Sequence, residues 1–452
     1  MIGCERIVAS CVVIRYKRGM AQHQRTSDVK GTLVGSPALA LWMTTLGLFA
    51  GLTTIVFYGV AGPVFKEALG LSGFSLGLLL SSPHLSKAVL RVPFGAWVDK
   101  VGGRVPFLLL LCSSCIGMLG LVVLLLLYHP GQLNSDLFGI LLVIGLLGGA
   151  GAATFSVGVP QTSYWFNSQR QGYALGIYAG VGNIGPGLFN LIMPLLVGVV
   201  GLALAYASWL TFLVVVTFVY WYFAADSYYF QLRAQGVESE AAKEIARSHG
   251  QDLFPVGSVT DSLKSSGRRY HTWVLVFLYT VSFGGGFTAL TAWFPTYWYT
   301  FHGLSLLQAG SLAAIFTVYG SLIRVAGGKL SDLHGGEWVA TLSFIGMALG
   351  SLILSLTSIP SLAFVGMMVL ASGMGIANAA VFELVPKLVP DAVGGASGWI
   401  GGVGGAGTLL ILPLLGTIVD HQGVSGFASG FWVYVLLSLV CAGVAYSMKP
   451  RR

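Results

Sequence analysis

Charge is what this chain has least of. Only 9% of its 452 residues are charged, and Asp and Glu together number 16. A soluble domain carries about 25% charged residues, so a water-facing globular surface is excluded. Cysteine is also scarce: Cys4, Cys11, Cys112, Cys115 and Cys441 are all there are. Cys112 and Cys115 stand at a CxxC-like spacing but inside an apolar run, where small membrane-helix residues are the plainer reading than metal or redox chemistry. No metal-ligand cluster or catalytic-triad spacing stands out, so neither a metal, a cofactor nor a membrane enzyme is expected. Short alternating apolar segments, the mark of a membrane barrel, are missing too.

Apolar residues are abundant, at 55%, with a mean hydropathy of +0.81. Glycine is unusually frequent, at 63 residues; small residues let membrane helices approach closely. Twelve apolar segments can be placed, near 38–62, 72–98, 105–128, 136–160, 172–198, 203–225, 272–298, 307–330, 337–357, 360–385, 393–417 and 425–447. Each is long enough to cross about 30 Å of hydrocarbon as a helix. The expectation is an all-α integral membrane protein, with six-span bundles at 38–225 and 272–447 joined by a polar linker at 226–271. Within that linker ESEAAKEIARSHG reads as a short surface helix, and the whole stretch as a connection more than a folded regulatory domain. Residues 1–37 and 448–452 read as terminal segments. Met20 is an alternative initiator, which would make residues 1–19 an upstream artefact.

The net charge of +8 does not point to nucleic acid, because the cations sit in short connections. Apart from Lys66, Lys87, Arg91 and Arg324, every one of the 24 Lys and Arg residues falls on one side of the expected topology. By the positive-inside rule that side is cytoplasmic, and an even number of spans puts both termini there.

Lys87, Arg91 and Arg324 lie inside spans, where cations are rare and usually functional. The two arginines head one repeated pattern. RVPFGAWVDKVGG runs from Arg91 and RVAGGKLSDLHGG from Arg324, with Gly at +4, Asp at +8 and paired Gly at +11 and +12. A second repeat joins GIYAGVGNIG to GWIGGVGGAG, aligning Gly176, Gly180, Gly182 and Gly185 with Gly398, Gly402, Gly404 and Gly407. Related halves around a central site are the arrangement expected of alternating access, which favours a carrier over an ion channel. Asp99 and Asp332 lie eight residues past their arginines, about 12 Å along a helix. Glu383 also falls near a span end. No acid is found at mid-depth, so the centre is electropositive and an anion is its natural counter-charge. A buried arginine bonded only to carbonyls or water is the structural alternative, and duplication of the position weighs against it.

GAWVDKVGGR (95–104) resembles the loop signature of the major facilitator superfamily, and GGKLSDLHGG (327–336) is similar to a degraded copy of it. With both arginines, AGVGNIGPG (179–187) and YTVSFGGGF (279–287), the resemblance narrows to the nitrate/nitrite porter family, over essentially residues 38–447. It implies the major facilitator fold, with twelve helices in two pseudo-symmetric halves, in a cytoplasmic membrane and without a cofactor. It implies that Tyr279 and Phe283 give a phenol donor and an aromatic wall to the anion, that Phe155 is an aromatic gate, and that Asn183 donates from its amide. Asp99 and Arg104, with Asp332 as second copy, would hold the cytoplasmic ends together in one state. By spacing alone, Tyr279, Phe283 and Phe155 would be packing residues, and Gly180, Gly182, Gly185, Gly402, Gly404 and Gly407 helix-packing positions. Gly405 stands opposite Asn183 in the repeat, with Thr408 as a nearby hydroxyl or a locally bonded one.

Arginine offers a planar fork of donors and stays ionised when desolvated, which suits a planar, delocalised anion such as nitrate or nitrite. Lys87 shares a helix face with Arg91, either drawing anions inward or snorkelling. His84, on the same side, is a proton relay or a satisfied polar residue. The expected activity is nitrate/nitrite exchange by a monomer in membrane lipid. Proton-coupled symport, transport of another small anion and a non-transporting anion sensor are the alternatives.

Overall fold

In the computed structural model, residues 33–129, 131–255, 259–389 and 393–448 are described, and no strand occurs among them. The expected Met20 start and the 1–32 segment lie outside the described residues. The first half contains α1 (Pro37–Leu69), α2 (Gly73–Val101), α3 (Arg104–Tyr128), α4 (Ser135–Ser163), α5 (Ser168–Gly182 and Gly185–Val200) and α6 (Leu202–Phe223). Three short helices follow: α7 (Tyr228–Ala234), α8 (Ser239–Ser248) and α9 (Val259–Gly267). The second half contains α10 (Tyr270–Thr300), α11 (Leu306–His334), α12 (Gly336–Leu356), α13 (Pro360–Leu388), α14 (Val393–Gly402 and Thr408–Gln422) and α15 (Phe431–Ser447). The chain is a multi-spanning membrane protein. Ten of its described helices are long and apolar enough to cross a membrane. Two more flank that criterion: α2 carries Lys87, Arg91, Asp99 and Lys100, and α15 has 17 residues.

The Arg91 and Arg324 repeat has a local structural meaning. Helices α2 and α11 are both 29 residues long, and each opens on a serine cap, Ser72 accepting from the Ser75 N–H and Ser305 from the Gln308 N–H. Such caps satisfy backbone donors that the first turn leaves free. Each ends on the first glycine of the repeated pair, Gly102 and Gly335, both with φ of +87°. Only glycine adopts that backbone without strain, so the +11 glycine is a helix terminator.

The first helix of each half is irregular. Helix α1 tightens into 3-10 turns at Thr54–Val56 and Gly59–Ala61, while α10 widens into a π-helix at Thr280–Thr288. Backbone carbonyls freed by such irregularity need partners. A tyrosine from the last helix of each half supplies one: Tyr206 donates to the Phe57 carbonyl and Tyr434 to the Gly285 carbonyl, each at 2.7 Å.

Close glycine crossings join the halves. A Cβ on Gly77 of α2 would strike the Leu412 carbonyl of α14, and one on Gly310 of α11 would strike the Asn190 carbonyl of α5. These small residues let backbones touch, as membrane packing requires. At the same end Asp420 of α14 accepts from the backbone N–H groups of Gly73 and, at 2.8 Å, Phe74 at the start of α2. The halves are therefore closed on the side away from α7–α9. On the α7–α9 side they part around a cavity of about 750 Å³.

The expected surface helix is α8, whose Ala242 and Ile245 pack with Leu232, Leu33 and Tyr229 into a small cluster of their own. Helix α9 instead reaches the cavity: Leu263 lines its mouth and the Leu263 carbonyl accepts from Trp399 Nε1 of α14 at 2.9 Å.

Candidate functional site

Both arginines face the same cavity. Its walls include Lys87, Arg91, Asp99, Phe155, Asn183, Tyr279, Phe283, Arg324 and Phe382, drawn from both halves. Arg91 is 7% exposed, and its guanidinium lies 5.2 Å from the Phe155 ring centre. It donates from Nη1 to the Gly401 carbonyl at 2.8 Å, so it spans from α2 to the opposite half. Arg324 lies over the Phe283 ring at 5.5 Å and has no hydrogen-bond partner among the described residues. Each half thus presents one guanidinium held against one aromatic face, an arrangement that fixes the plane of the donor fork. Free donors remain directed at the cavity.

The aromatic wall is continuous. Tyr279 and Phe283 stack at 5.0 Å, Phe283 and Phe287 at 5.8 Å, and Phe382 meets Tyr279 edge-on at 5.2 Å. Phe155 is backed by Tyr178, whose hydroxyl donates to the Thr154 carbonyl at 3.1 Å. Phe382 and Asn378 were missed by sequence reasoning. Asn378 is 1% exposed and lies one turn before Phe382 on α13. A polar amide inside an apolar span was the available signal.

Several expectations need correction. Thr408 is not at the cavity: it is fully buried, and its hydroxyl donates to the Gly284 carbonyl at 2.5 Å, bracing α14 against the π-helix. His84 is also fully buried and does not line the cavity, and neither ring nitrogen has a hydrogen-bond partner among the described residues. Asn183 does line it, but its Nδ2 donates to the Ala179 carbonyl at 2.6 Å, so one amide hydrogen is committed to its own helix.

Asp99 and Arg104 do not form a contact between the halves here. Asp99 accepts from the Tyr164 hydroxyl at 2.6 Å, and Arg104 Nη2 donates to the Trp221 carbonyl at 2.6 Å. The Arg104 N–H also bonds Asp226 at 2.8 Å. Burial pushes the Asp226 carboxyl above the ordinary range, against the lowering effect of its bonds to the Arg104 and Gly103 backbone. None of these three partners belongs to the second half: Tyr164 and Trp221 are in the first and Asp226 just follows α6, as expected with the halves parted on this side. The side chain of Asp332 lies outside the described residues.

The glycine repeat divides in two. A Cβ on Gly182 or Gly185 would meet Leu48 or the Phe49 carbonyl, and one on Gly404 or Gly407 would meet Tyr279 or Thr280, all closer than real Cβ atoms come. Gly180 has nothing within 4 Å and Gly402 only Val92 at 3.6 Å. These two are not packing positions in this conformation, and Gly402 lines the open cavity.

A family model described as the Major Facilitator Superfamily matches residues 42–333 and 302–452. The chain belongs to that superfamily. It is therefore a secondary transporter and not an enzyme, in the cytoplasmic membrane. Among curated relatives, the "Probable nitrate transporter NarT" of Staphylococcus epidermidis is 27% identical over 404 residues, covering 88% of this chain and 95% of its own. The "Probable nitrate/nitrite antiporter NarK1" of Thermus thermophilus is 27% identical over 431 residues, covering 88% and 89%. The "Nitrite extrusion protein" of Bacillus subtilis is 26% identical over 399 residues, covering 88% and 91%. Among solved structures, the partially occluded inward-open form of the E. coli xylose transporter XylE superposes with a TM-score of 0.72 at 16% identity, over 92% of this chain and 98% of that one. That likeness concerns the fold alone.

Proposed function

We propose that this superfamily member carries nitrate and nitrite across the membrane by alternating access, exchanging one for the other. The observation that carries the reading is the pair Arg91 and Arg324, one from each half, each seated on an aromatic ring in one shared cavity. Among the described residues, the only carboxylate lining that cavity is Asp99, held by Tyr164 toward the mouth. A planar monoanion between two guanidiniums completes the charge and accepts short, directional bonds. The names of the relatives, all concerned with nitrate or nitrite, agree with that choice.

Helices α2 and α15 complete twelve spans on this reading, six in each half. The basic linker side is the cytoplasm, so the structure is open to the cytoplasm and closed to the outside. Both termini are then cytoplasmic. Two permanent cations make an empty site costly to carry through a closed intermediate, since unpaired buried charge is strongly disfavoured. A counter-anion on the return leg removes that obstacle. One-for-one exchange also avoids the roughly 2.3 kcal/mol per 100 mV that a lone anion pays to enter a negative interior.

The test is labelled nitrate uptake into proteoliposomes with and without internal nitrite. Counterflow stimulated by internal nitrite and indifferent to an imposed voltage is expected. Uptake that needs no internal anion and follows voltage would overturn exchange.

A further inference from the structure

The reading above leaves one buried cation unused. Lys87 is 1% exposed, lines the same cavity and precedes Arg91 by one turn of α2. No carboxylate or carbonyl is hydrogen-bonded to it among the described residues. We propose that Lys87 is a proton-carrying co-ligand of the anion site: it takes up a proton as the anion seats and surrenders it as the anion leaves.

The argument is one of charge and place. Arginine holds its proton in any protein environment, whereas a buried lysine is the basic side chain that readily loses one. In the anion-free cavity Lys87 would be a third cation beside Arg91 and Arg324, with Asp99 about three turns from it along α2 and already bonded to Tyr164. An anion arriving between the arginines supplies the missing negative charge, and opposite charge nearby favours the protonated lysine. Coupling between two ligands is reciprocal, so a protonated Lys87 must tighten anion binding by the same factor.

The surroundings leave Lys87 as the group that changes. On α2 itself the titratable neighbours are His84, Arg91 and Asp99. Among the helices packed on α2, α4 contributes no titratable group before its far end at Asp136. The part of α14 that crosses α2 contributes Asp420, which caps the opposite end of α2, and His421 beside it. Helix α1 supplies Tyr58, whose hydroxyl is committed to the Leu141 carbonyl at 2.6 Å, and Lys66 and Glu67 near the closed surface. Helix α3 supplies Arg104, Cys112, Cys115 and Tyr128, and α10 adds Tyr297 and Tyr299 toward the closed end. Across the cavity stand Tyr279 and Arg324. None of these is an acid able to pair with Lys87 at the centre. His84, buried and with both ring nitrogens unpartnered, lies one turn nearer the closed side, so a proton arriving from there passes a second group able to hold it.

This rests on the anion-carrier reading and adds to it. In one-for-one exchange the proton rides both ways and is silent. When no counter-anion is available, anion and proton leave together, and the return leg carries one positive charge fewer. The same protein then performs net uptake of one anion with one proton, driven by a pH difference.

The experiment is calorimetric titration of the purified protein with sodium nitrate, and separately sodium nitrite, in buffers of different ionisation enthalpy across about pH 5 to 9. The slope gives protons taken up per anion bound. Wild type should approach one at some pH in that range, and its affinity should fall by roughly 5- to 150-fold as the pH rises through that window. Lys87→Met and Lys87→Arg should both bind with no proton uptake, the first because the group is gone and the second because it never deprotonates. Wild-type binding without proton uptake at every pH would overturn the proposal while leaving the transport reading intact. So would Lys87→Met taking up as many protons as wild type. Failure of wild type to bind either anion would sink both readings.

Discussion

Removing Asp420 should open the outer gate. Its carboxylate is, among the described residues, the one acidic contact between α14 and the start of α2, accepting from the Gly73 and Phe74 N–H groups. A hydrogen bond to a charged group is worth about 1.5–3 kcal/mol net, and a carboxylate at a helix N-terminus gains a further 0.3–1 kcal/mol, roughly. Asp420 is exposed, so water recovers part of this in the open state. Ser72 already caps the Ser75 N–H. Taking the low end throughout leaves about 2 kcal/mol, or roughly a 30-fold shift toward the outward-open form. The contact exists only when the outer ends meet, so the loss falls on the closed state alone. Spin labels at Glu67 and Val424, both exposed on that side, would report it in a cysteine-replaced background. Asp420→Ala should move the distance distribution to longer values without ligand, and Asp420→Asn, which keeps one acceptor, about half as far. Unchanged distributions in Asp420→Ala would refute the reasoning, because they would mean that the glycine crossings alone set the closure.

Arg324→Lys should weaken nitrate binding by roughly 30- to 150-fold, since it removes the fork and the stacking on Phe283, together about 2–3 kcal/mol; affinity within threefold of wild type would show that a point charge suffices. Gly77→Val should hold the outer side ajar, because its side chain would collide with the Leu412 carbonyl; the readout is a gain in outside accessibility of a single cysteine placed on α14, with nitrate binding retained. His302, outside the spans, is held below the ordinary imidazole range by burial, against the raising effect of a bond to the Ser358 backbone. The unfolded chain therefore binds the extra proton more readily, so this contribution is complete above about pH 6.5 and is lost as pH falls toward the lowered value. His302→Gln should flatten the acid side of the thermal-stability profile, and an unchanged slope between about pH 5 and 7 would count against it.

Much of this was legible in the chain itself. The apolar runs found the long helices, because crossing hydrocarbon constrains length and polarity directly. The duplicated Arg–Gly–Asp–Gly-Gly spacing found both arginines, and the structure explains the first glycine of its closing pair by a shared φ of +87°. Tyr279 and Phe283 followed from the family likeness, since their spacing alone reads as packing. Other features had no local signature. Thr408 looked like a ligand and is a brace, because which carbonyl a hydroxyl finds depends on the neighbouring helix. Arg104 reads as a gate residue for the closed state, and in this parted conformation it bonds the Trp221 carbonyl, more than a hundred residues away in the chain. Asp420 drew no notice, since a carboxylate at a span end is ordinary until its partner backbone is known. Gly180 and Gly182 look alike in sequence, yet only the second meets another helix.

The π-helix at Thr280–Thr288 has a mechanical consequence. Each π turn accommodates an extra residue relative to an α-helix, so this segment stores slack in its winding. If a conformational change returned one residue to α-helical pitch, the chain on one side would turn against the other by about 100°. Tyr279 stands just before the segment and Phe283 within it. Such rewinding would sweep the phenol and the aromatic wall past the anion while the ends of α10 stayed in place. The helix would then act as a swivel, able to change which face the cavity sees without moving either half as a rigid body.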